Sequence, residues 1–444
     1  MNYSLGLSFP GILEDGRSAK EVRKRGLADQ RIVYVCGGRN FWAEDPIRKI
    51  GGVVACWKKA GHQVMHVCGG DISCNYNASK KYGALGANSR PYRCMSFLQP
   101  VIHSLSEHRD ILHDRLMLRH LELAASEWSP TLVWERSCRL HFAGLAFANK
   151  IGIPYVLEWK DHLVSYGASV FKRRAKKVES LKNAKADFIV VESEVLRGCL
   201  ARENVSLGKI LVAHNAVDAD VFVHTALAGR KWRNTLGVGD SEVLVGYLGS
   251  YAFYHDALRL VLAAEILSRM GLGGIRILMV GNGKEFAECQ KAAREKKLLG
   301  SKINMHPGVA AEEVPALLSA LDVAVLPGST DIICPIKVQE YMAAGLPTVV
   351  PDYPCNREVI VNGRTGILFV PKNEFSLAGA LELLAGDANL RTRLGIEARA
   401  EVERRFSWEA TWGATLNEIL RRIDQKKRYV GSSQGVTTLE VQRN

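Results

Sequence analysis

The chain of 444 residues exceeds one comfortable hydrophobic core, so two domains of roughly 200 residues each are expected. Hydrophobic residues at 47% and charged residues at 24% describe an ordinary globular chain. Its net charge of +13 falls mostly in the front half, +10 over residues 1–225 against +3 in the remainder, which favours anionic partners there.

Residues 1–30 show no sustained period and are expected to be an irregular lead-in, without the apolar core of a signal peptide after their charges. From Arg31 strand-like and helical patterns alternate. RIVYVC is a strand, PIRKIGGVVACWKKAG is helical up to Gly61, and HQVMHVC is a strand. Residues 101–128, 140–150, 171–185 and 193–202 read as helices between the strands TLVWER, IPYVLE, DFIVV and KILVAH. Such alternation predicts a parallel sheet covered on both faces, forming a domain over 31–218. Weak periodicity makes 219–240 a connection. Asp218 and Asp220 have the spacing of a metal-binding pair, but their place in that connection argues against it, and no metal is expected.

A second alternation covers 241–406: EVLVGYLG, a helix at 257–270, IRILMVG, a helix at 285–297, KINMHPG and a helix at 311–320. RTGILFV and two helices over 375–406, broken at Gly386 and Asp387, follow later. A last helix is expected over 407–428, and the polar residues 429–444 read as a disordered tail.

The most informative stretch is 321–352, LDVAVLPGSTDIICPIKVQEYMAAGLPTVVPD. Residues 322–326 and 348–350 are short buried strands. Between them 335–344 reads as a helix that Ser329, Thr330 or Asp331 can cap, with Pro335 in its first turn and Gly345 at its end. A strand, loop and helix in that order aim unpaired helix-start N–H groups at the crevice above a sheet, where anions bind. Lys337 and Glu340, three residues apart, share a face of this otherwise apolar helix.

The run PIKVQEYMAAGLPTVV resembles the nucleotide-sugar site of the retaining, group-1 (family four) glycosyltransferases. HNAVDADVF, GILFVPKNEFSLAGALELL and RFSWEATWGATL extend that resemblance over most of the second half and, more loosely, the first. It implies the GT-B fold, two doubly wound Rossmann-like domains facing across a cleft, with the 407–428 helix crossing back onto the first. It also implies a nucleotide diphosphate sugar as co-substrate, no metal or other cofactor, and transfer of a hexosyl-type sugar with retention. Glu340 would bind ribose, and Pro335, Ile336 and Lys337 would face the diphosphate. The family's earlier sugar-contacting glutamate is replaced by Ile332, with Asp331 one place away.

Other loops carry further candidates. Gly37 and Gly38 after the first strand either approach a ligand or make a tight turn; the resemblance puts that loop opposite the diphosphate or acceptor. Gly249–Asp256 has no Arg/Lys pair of the kind many relatives use on the diphosphate, and Ser250 and His255 stand nearest those places. Gly281 and Gly283 open a strand-to-helix turn where Phe286 replaces the third glycine of a dinucleotide fingerprint, so an oxidoreductase is excluded and Lys284 is left as a phosphate contact. Gly308 and Val309 would offer backbone to the base. For catalysis, Lys160 takes the place of a histidine common in the family. Asp161 and His162 follow, and either serve the sugar and the attacking hydroxyl or cap the next helix.

Ten scattered cysteines without a CxxC pair predict free thiols in a reducing cytoplasm. The basic run Lys172, Arg173, Arg174, Lys176 and Lys177 is either a solvated face or a contact with anionic lipid at the inner face of a membrane. The partners expected are the donor and a lipid-linked or small-molecule glycan acceptor, in cell-surface polysaccharide or glycoconjugate synthesis. Nucleic acid is excluded for want of a binding motif. Two readings compete: a nucleotide-sugar epimerase of the same fold, which would need acid/base carboxylates in the cleft, and a non-catalytic nucleotide-sugar-binding scaffold.

Overall fold

The computed structural model describes residues 29–39, 41–43, 48–72, 99–160 and 169–440. The irregular lead-in expected at 1–30 and the candidates Asp161 and His162 lie outside them, apart from Asp29 and Gln30.

The front lobe is one six-stranded parallel sheet: β1 (Arg31–Cys36), β2 (Gln63–Cys68), β3 (Leu132–Arg136), β4 (Tyr155–Glu158), β5 (Phe188–Val191) and β6 (Ile210–Val212). Its strand order is β2-β1-β3-β4-β5-β6. The rear lobe repeats the plan with β7 (Val243–Leu248), β8 (Ile275–Val280), β9 (Ile303–His306), β10 (Val323–Val325), β11 (Thr348–Pro351) and β12 (Ile367–Phe369), in the order β12-β11-β10-β7-β8-β9. The helices are α1 (Arg48–Lys59), α2 (Gln99–Trp128), α3 (Ala143–Ile151), α4 (Lys172–Lys185) and α5 (Glu194–Arg202) in front. In the rear come α6 (Ala226–Leu236), α7 (Ala257–Arg269), α8 (Phe286–Glu295), α9 (Val314–Leu318), α10 (Ile336–Ala343), α11 (Glu374–Gly386) and α12 (Ala388–Arg405). Last is α13 (Ala414–Glu440).

Alternation along β1 sends Ile32, Tyr34 and Cys36 to one face and Val33 and Val35 to the other, so both faces of the front sheet are buried cores. Trp57, Trp134 and Trp412 pack edge-on and tilted through one of them, with ring centroids 4.6 and 6.1 Å apart. Trp412 comes from the far end of the chain. It sits in a π-helical turn, Glu409–Gly413, between α12 of the rear lobe and α13, whose Leu416, Ile419 and Leu420 join the same front-lobe core.

Two expectations need correction. Residues 226–236 are not connection but helix α6, whose Trp232 and Leu236 pack on the rear core. Gly229 lets it lie on the chain at Ser319, whose carbonyl would be 2.3 Å from an added Cβ. The polar residues 429–440 are not irregular either: despite Gly431 and Gly435 they continue α13 to Glu440, the packed half of the helix supplying the nucleus. Asp218 and Asp220 form a turn, the Asp218 carboxylate accepting from the Asp220 N–H at 3.0 Å.

In each sheet the strand order reverses once, between β1 and β3 and between β7 and β10. Crevices at the carboxyl ends of such switch points are where doubly wound folds bind ligands. In the rear lobe the crevice is bounded by the loop after β7 and by the loop from β10 into α10.

Candidate active site

Helix α10 starts at the rear switch point. Pro335 is its N-cap rather than its first helical residue, with φ −64° and ψ 141°, and no side chain caps it. Ser329, Thr330 and Asp331 therefore do not supply the cap; the Ser329 hydroxyl donates to the Thr330 carbonyl instead. The helix ends at Gly345 in the left-handed conformation, φ 71°. Tyr341 fixes its pitch: its hydroxyl accepts from the Leu248 N–H at 2.9 Å and donates to the Leu248 carbonyl at 2.8 Å. β10 pairs with β7 only through Val245 and Gly246, so this phenol takes the place of a missing strand neighbour at the end of β7.

Lys337 in the first turn reaches across to the β7 loop. Its Nζ lies 3.0 Å from His255 Nε2 and 5.3 Å from the centre of the Tyr247 ring. It rests on Gly249 so closely that a Cβ there would be 2.1 Å from Nζ. Burial lowers the Lys337 pKa to about 8, opposed by the charge of Glu340. Burial, then the charge of Lys337, pushes His255 down to about 3. His255 is thus neutral and its Nε2 accepts from the ammonium, so it orients Lys337 where the sequence suggested a direct phosphate donor. Glu340, one turn on, is buried.

The glycines of the neighbouring loop serve the scaffold. Gly281 has φ 140°, and a Cβ on it would lie 1.9 Å from the Gly249 carbonyl. Gly283 lies against Tyr251, whose carbonyl would be 2.6 Å from an added Cβ and whose N–H donates to the Asn282 carbonyl at 3.0 Å. They let the loops after β7 and β8 lie side by side. Ser250, Lys284 and Gly308 are exposed at the rim, and Val309 packs on the rear core. Ile332 packs on the front-lobe core, so it makes a contact between lobes.

On the front side, Gly37 and Gly38 sit where bulk is excluded: Cβ atoms there would meet the His141 ring at 2.7 Å and the Phe41 ring at 2.9 Å. Beside them lies a buried ion network of which the sequence singled out Lys160 alone. Glu158 accepts from Tyr34 (2.7 Å), Arg136 (2.8 Å), Lys49 (3.1 Å) and Trp134 (3.3 Å). Glu192 pairs with Lys49 and, at 3.2 Å, with Lys160. Burial pushes Glu158 up, but Lys49 and then Arg136 outweigh it and hold the carboxyl at about 2. Burial brings Lys160 down to about 8 despite Glu192. Three cations against two carboxylates leave the network with one surplus positive charge, and Lys160 is its most exposed member. The signal was available: WER, VLE and VVE each end a strand on a charge, at the edge where a doubly wound sheet keeps its chemistry.

The five basic residues of α4 are exposed, with Ala175 turned to the core. No helix among the described residues is long and apolar enough to cross a membrane. The eight described cysteines are free. Among described residues one cluster has metal-ligand spacing, Cys36, His66 and Cys68, in which the Cys68 thiol lies 3.0 Å from His66 Nε2; it is apart from α10, on β1 and β2.

Two facing six-stranded doubly wound lobes with an open helix start at the switch point define the GT-B class. Residues 229–401 match the family described as glycosyl transferases group 1, and residues 47–216 match the glycosyl transferase 4-like domain. The 4-like match falls on the front lobe and the group 1 match on the rear lobe. It is 28% identical over 290 residues to a GDP-mannose-dependent alpha-mannosyltransferase of Mycolicibacterium smegmatis, covering 63% of this chain and 69% of the relative. A glycogen synthase of Mycobacterium tuberculosis is 26% identical over 309 residues, 66% of this chain and 69% of the relative. Among solved structures, a glycosyltransferase from Rickettsia africae superposes with a TM-score of 0.67 at 16% identity, covering 89% of this chain and 98% of its own. Anabaena HepE in complex with UDP-glucose gives 0.64 at 14% identity, covering 89% and 99%.

Proposed function

We propose that this protein transfers a hexosyl-type sugar from a nucleotide diphosphate sugar to an acceptor hydroxyl, with retention at the anomeric carbon. The observation that carries the reading is Lys337, laid across Gly249 at the uncapped mouth of α10 with Glu340 buried one turn behind. A diphosphate at that mouth meets the backbone N–H groups, the positive end of the helix and a partly desolvated ammonium. Those groups stabilise charge as it develops on the departing diphosphate, which is where such a transfer needs help. Glu340 accepts from the ribose hydroxyls.

In the transfer, the bond between the anomeric carbon and the diphosphate oxygen breaks with its electron pair leaving on the diphosphate. The acceptor oxygen bonds to the same face, and its proton passes to the departing phosphate oxygen. The acceptor, lipid-linked or a small glycan, enters beside Gly37 and Gly38, over the positive front-lobe network. The relatives' names support a nucleotide-sugar donor, and the exposed basic face of α4 supports work at an anionic membrane surface in the cytoplasm, in cell-surface polysaccharide or glycoconjugate synthesis.

The test is release of GDP or UDP from a panel of nucleotide sugars, with and without a glycan acceptor pool. Acceptor-dependent release, with the product's anomeric configuration matching the donor's, is expected. Conversion of the donor without acceptor would favour an epimerase instead, and silence across the panel together with nucleotide binding would favour a scaffold.

A further inference from the structure

Glu358 belongs to the rear lobe, yet its carboxylate is bound in the front one. Oε2 accepts from the Glu194 N–H at 2.9 Å and Oε1 from the Val195 N–H at 3.3 Å, the first two N–H groups of α5. Oε2 also lies 2.8 Å from Nε2 of His214. Ser193, which caps α5 by accepting from the Leu196 N–H, donates its hydroxyl to the Ile332 carbonyl at 2.5 Å. Asn215 donates its amide to the Cys334 carbonyl at 3.0 Å. Ile332 and Ile333 are seated against the front-lobe core.

These contacts converge on the backbone that delivers α10 to the cleft, because Cys334 is followed directly by Pro335, the N-cap. On the front side they converge on Glu192, the neighbour of Ser193, whose carboxylate holds Lys160. One set of bonds thus fixes the mouth of α10 relative to the charged strand ends opposite. A carboxylate is the right group for the purpose: the first N–H groups of a helix have no intrahelical partner and carry partial positive charge, and bonds to an ionised acceptor are the strong ones.

We propose that Glu358 is a positioning residue, a strut that holds the two lobes at the separation at which donor mouth and front-lobe network face each other. The inference rests on α10 being the donor site. Nucleotide binding uses the rear lobe alone, whereas transfer needs both lobes, so loss of the strut separates the two.

The experiment compares wild type, Glu358→Ala and Glu358→Gln by amide hydrogen exchange, small-angle scattering, GDP and UDP titration, and turnover of the nucleotide sugar the panel identifies. In Glu358→Ala, exchange at Glu194 and Val195 speeds up by about 10- to 100-fold, the range expected on losing hydrogen bonds to a charged group. The radius of gyration rises. Nucleotide affinity stays within about twofold, as for sites sharing no partner, while kcat falls about tenfold or more. Glu358→Gln, which keeps the volume and one acceptor oxygen, recovers part of each loss. Unchanged exchange and radius in Glu358→Ala overturn the strut. So does a fall in kcat that follows the melting temperature with no recovery in Glu358→Gln, which is a general structural role. If wild type binds neither GDP nor UDP, the donor reading of α10 fails, while exchange and scattering still decide whether the strut exists.

Discussion

Replacing Gly249 by alanine is a small change with a large effect at a single atom. The new Cβ would stand 2.1 Å from Lys337 Nζ and 3.0 Å from its Cε. Non-bonded atoms settle near ~3.5 Å, so the ammonium has to retreat by more than about 1 Å. In doing so it leaves the His255 Nε2 acceptor now 3.0 Å away. Misplacing a pre-organised group by 1 Å can cost about 100-fold in rate. The fold itself is spared, because the atom displaced furthest is the end of a flexible side chain, while the Tyr247 hydroxyl, 3.2 Å from the new Cβ, need give only a few tenths of an ångström. Gly249→Ala is therefore expected to lower turnover about 100-fold and to weaken GDP or UDP about tenfold by titration, with affinity for the free nucleoside and the melting temperature held. Placed in a Lys337→Ala background, the same substitution has no further effect, since the atom it displaces is gone. Wild-type nucleotide affinity in Gly249→Ala, or full additivity of the two substitutions, refutes the idea that glycine is there to seat the lysine.

Three further outcomes follow from the same geometry. Lys337 is held at about 8 against an ordinary 10.5, so nucleotide affinity falls as pH rises through about 8. Over that window the unfolded chain keeps a proton that the folded one has released, so stability of the empty protein rises from pH 8 to 10.5. Lys337→Met abolishes the affinity slope and removes one share of the stability slope, another being that of Lys160, also held at about 8; a wild-type affinity that is flat up to about pH 9 counts against the assignment. Glu340→Ala is expected to remove about 1.5–3 kcal/mol of nucleotide binding, as for hydrogen bonds to a charged group, without lowering the melting temperature; an unchanged Kd rejects ribose binding there. Glu158→Ala leaves Arg136 in the core without its carboxylate, and Lys49 with Glu192 alone, and should cost about 3–5 kcal/mol in denaturant unfolding. Because the Glu158 carboxyl is held at about 2 against 4.5, its contribution is present above pH 4.5 and lost as pH falls towards 2; a loss below about 1 kcal/mol in the variant would show that the network is not what it appears.

The alternation of strand and helix was readable because burying both faces of a parallel sheet leaves a periodic mark on local sequence. Helix α10 was readable for a related reason: its start, its glycine end and its charged pair are all local. What escaped was whatever depends on residues far apart in the chain meeting in space. Glu158 and Lys49 are 109 positions apart, and Glu358 is 164 positions from Glu194. Nothing near Glu358 marks it as the partner of another lobe's helix. The cap of α10 is less legible, because a proline suits the first turn of a helix as well as its cap, and only its ψ of 141°, that of extended backbone, separates the two. The tail beyond 428 was misread because composition says little about a helix that is already under way.

The chain passes between the lobes twice, once in the segment before α6 and again at the π-helical turn after α12. The two passages touch: the Val217 N–H donates to the Phe406 carbonyl at 3.0 Å. Two strands of chain fastened at nearly one place behave as a pivot pin, permitting rotation and forbidding sliding. A single protease cut at either passage would leave the halves joined by the other, and swapping of a lobe between two molecules would require both to be undone together.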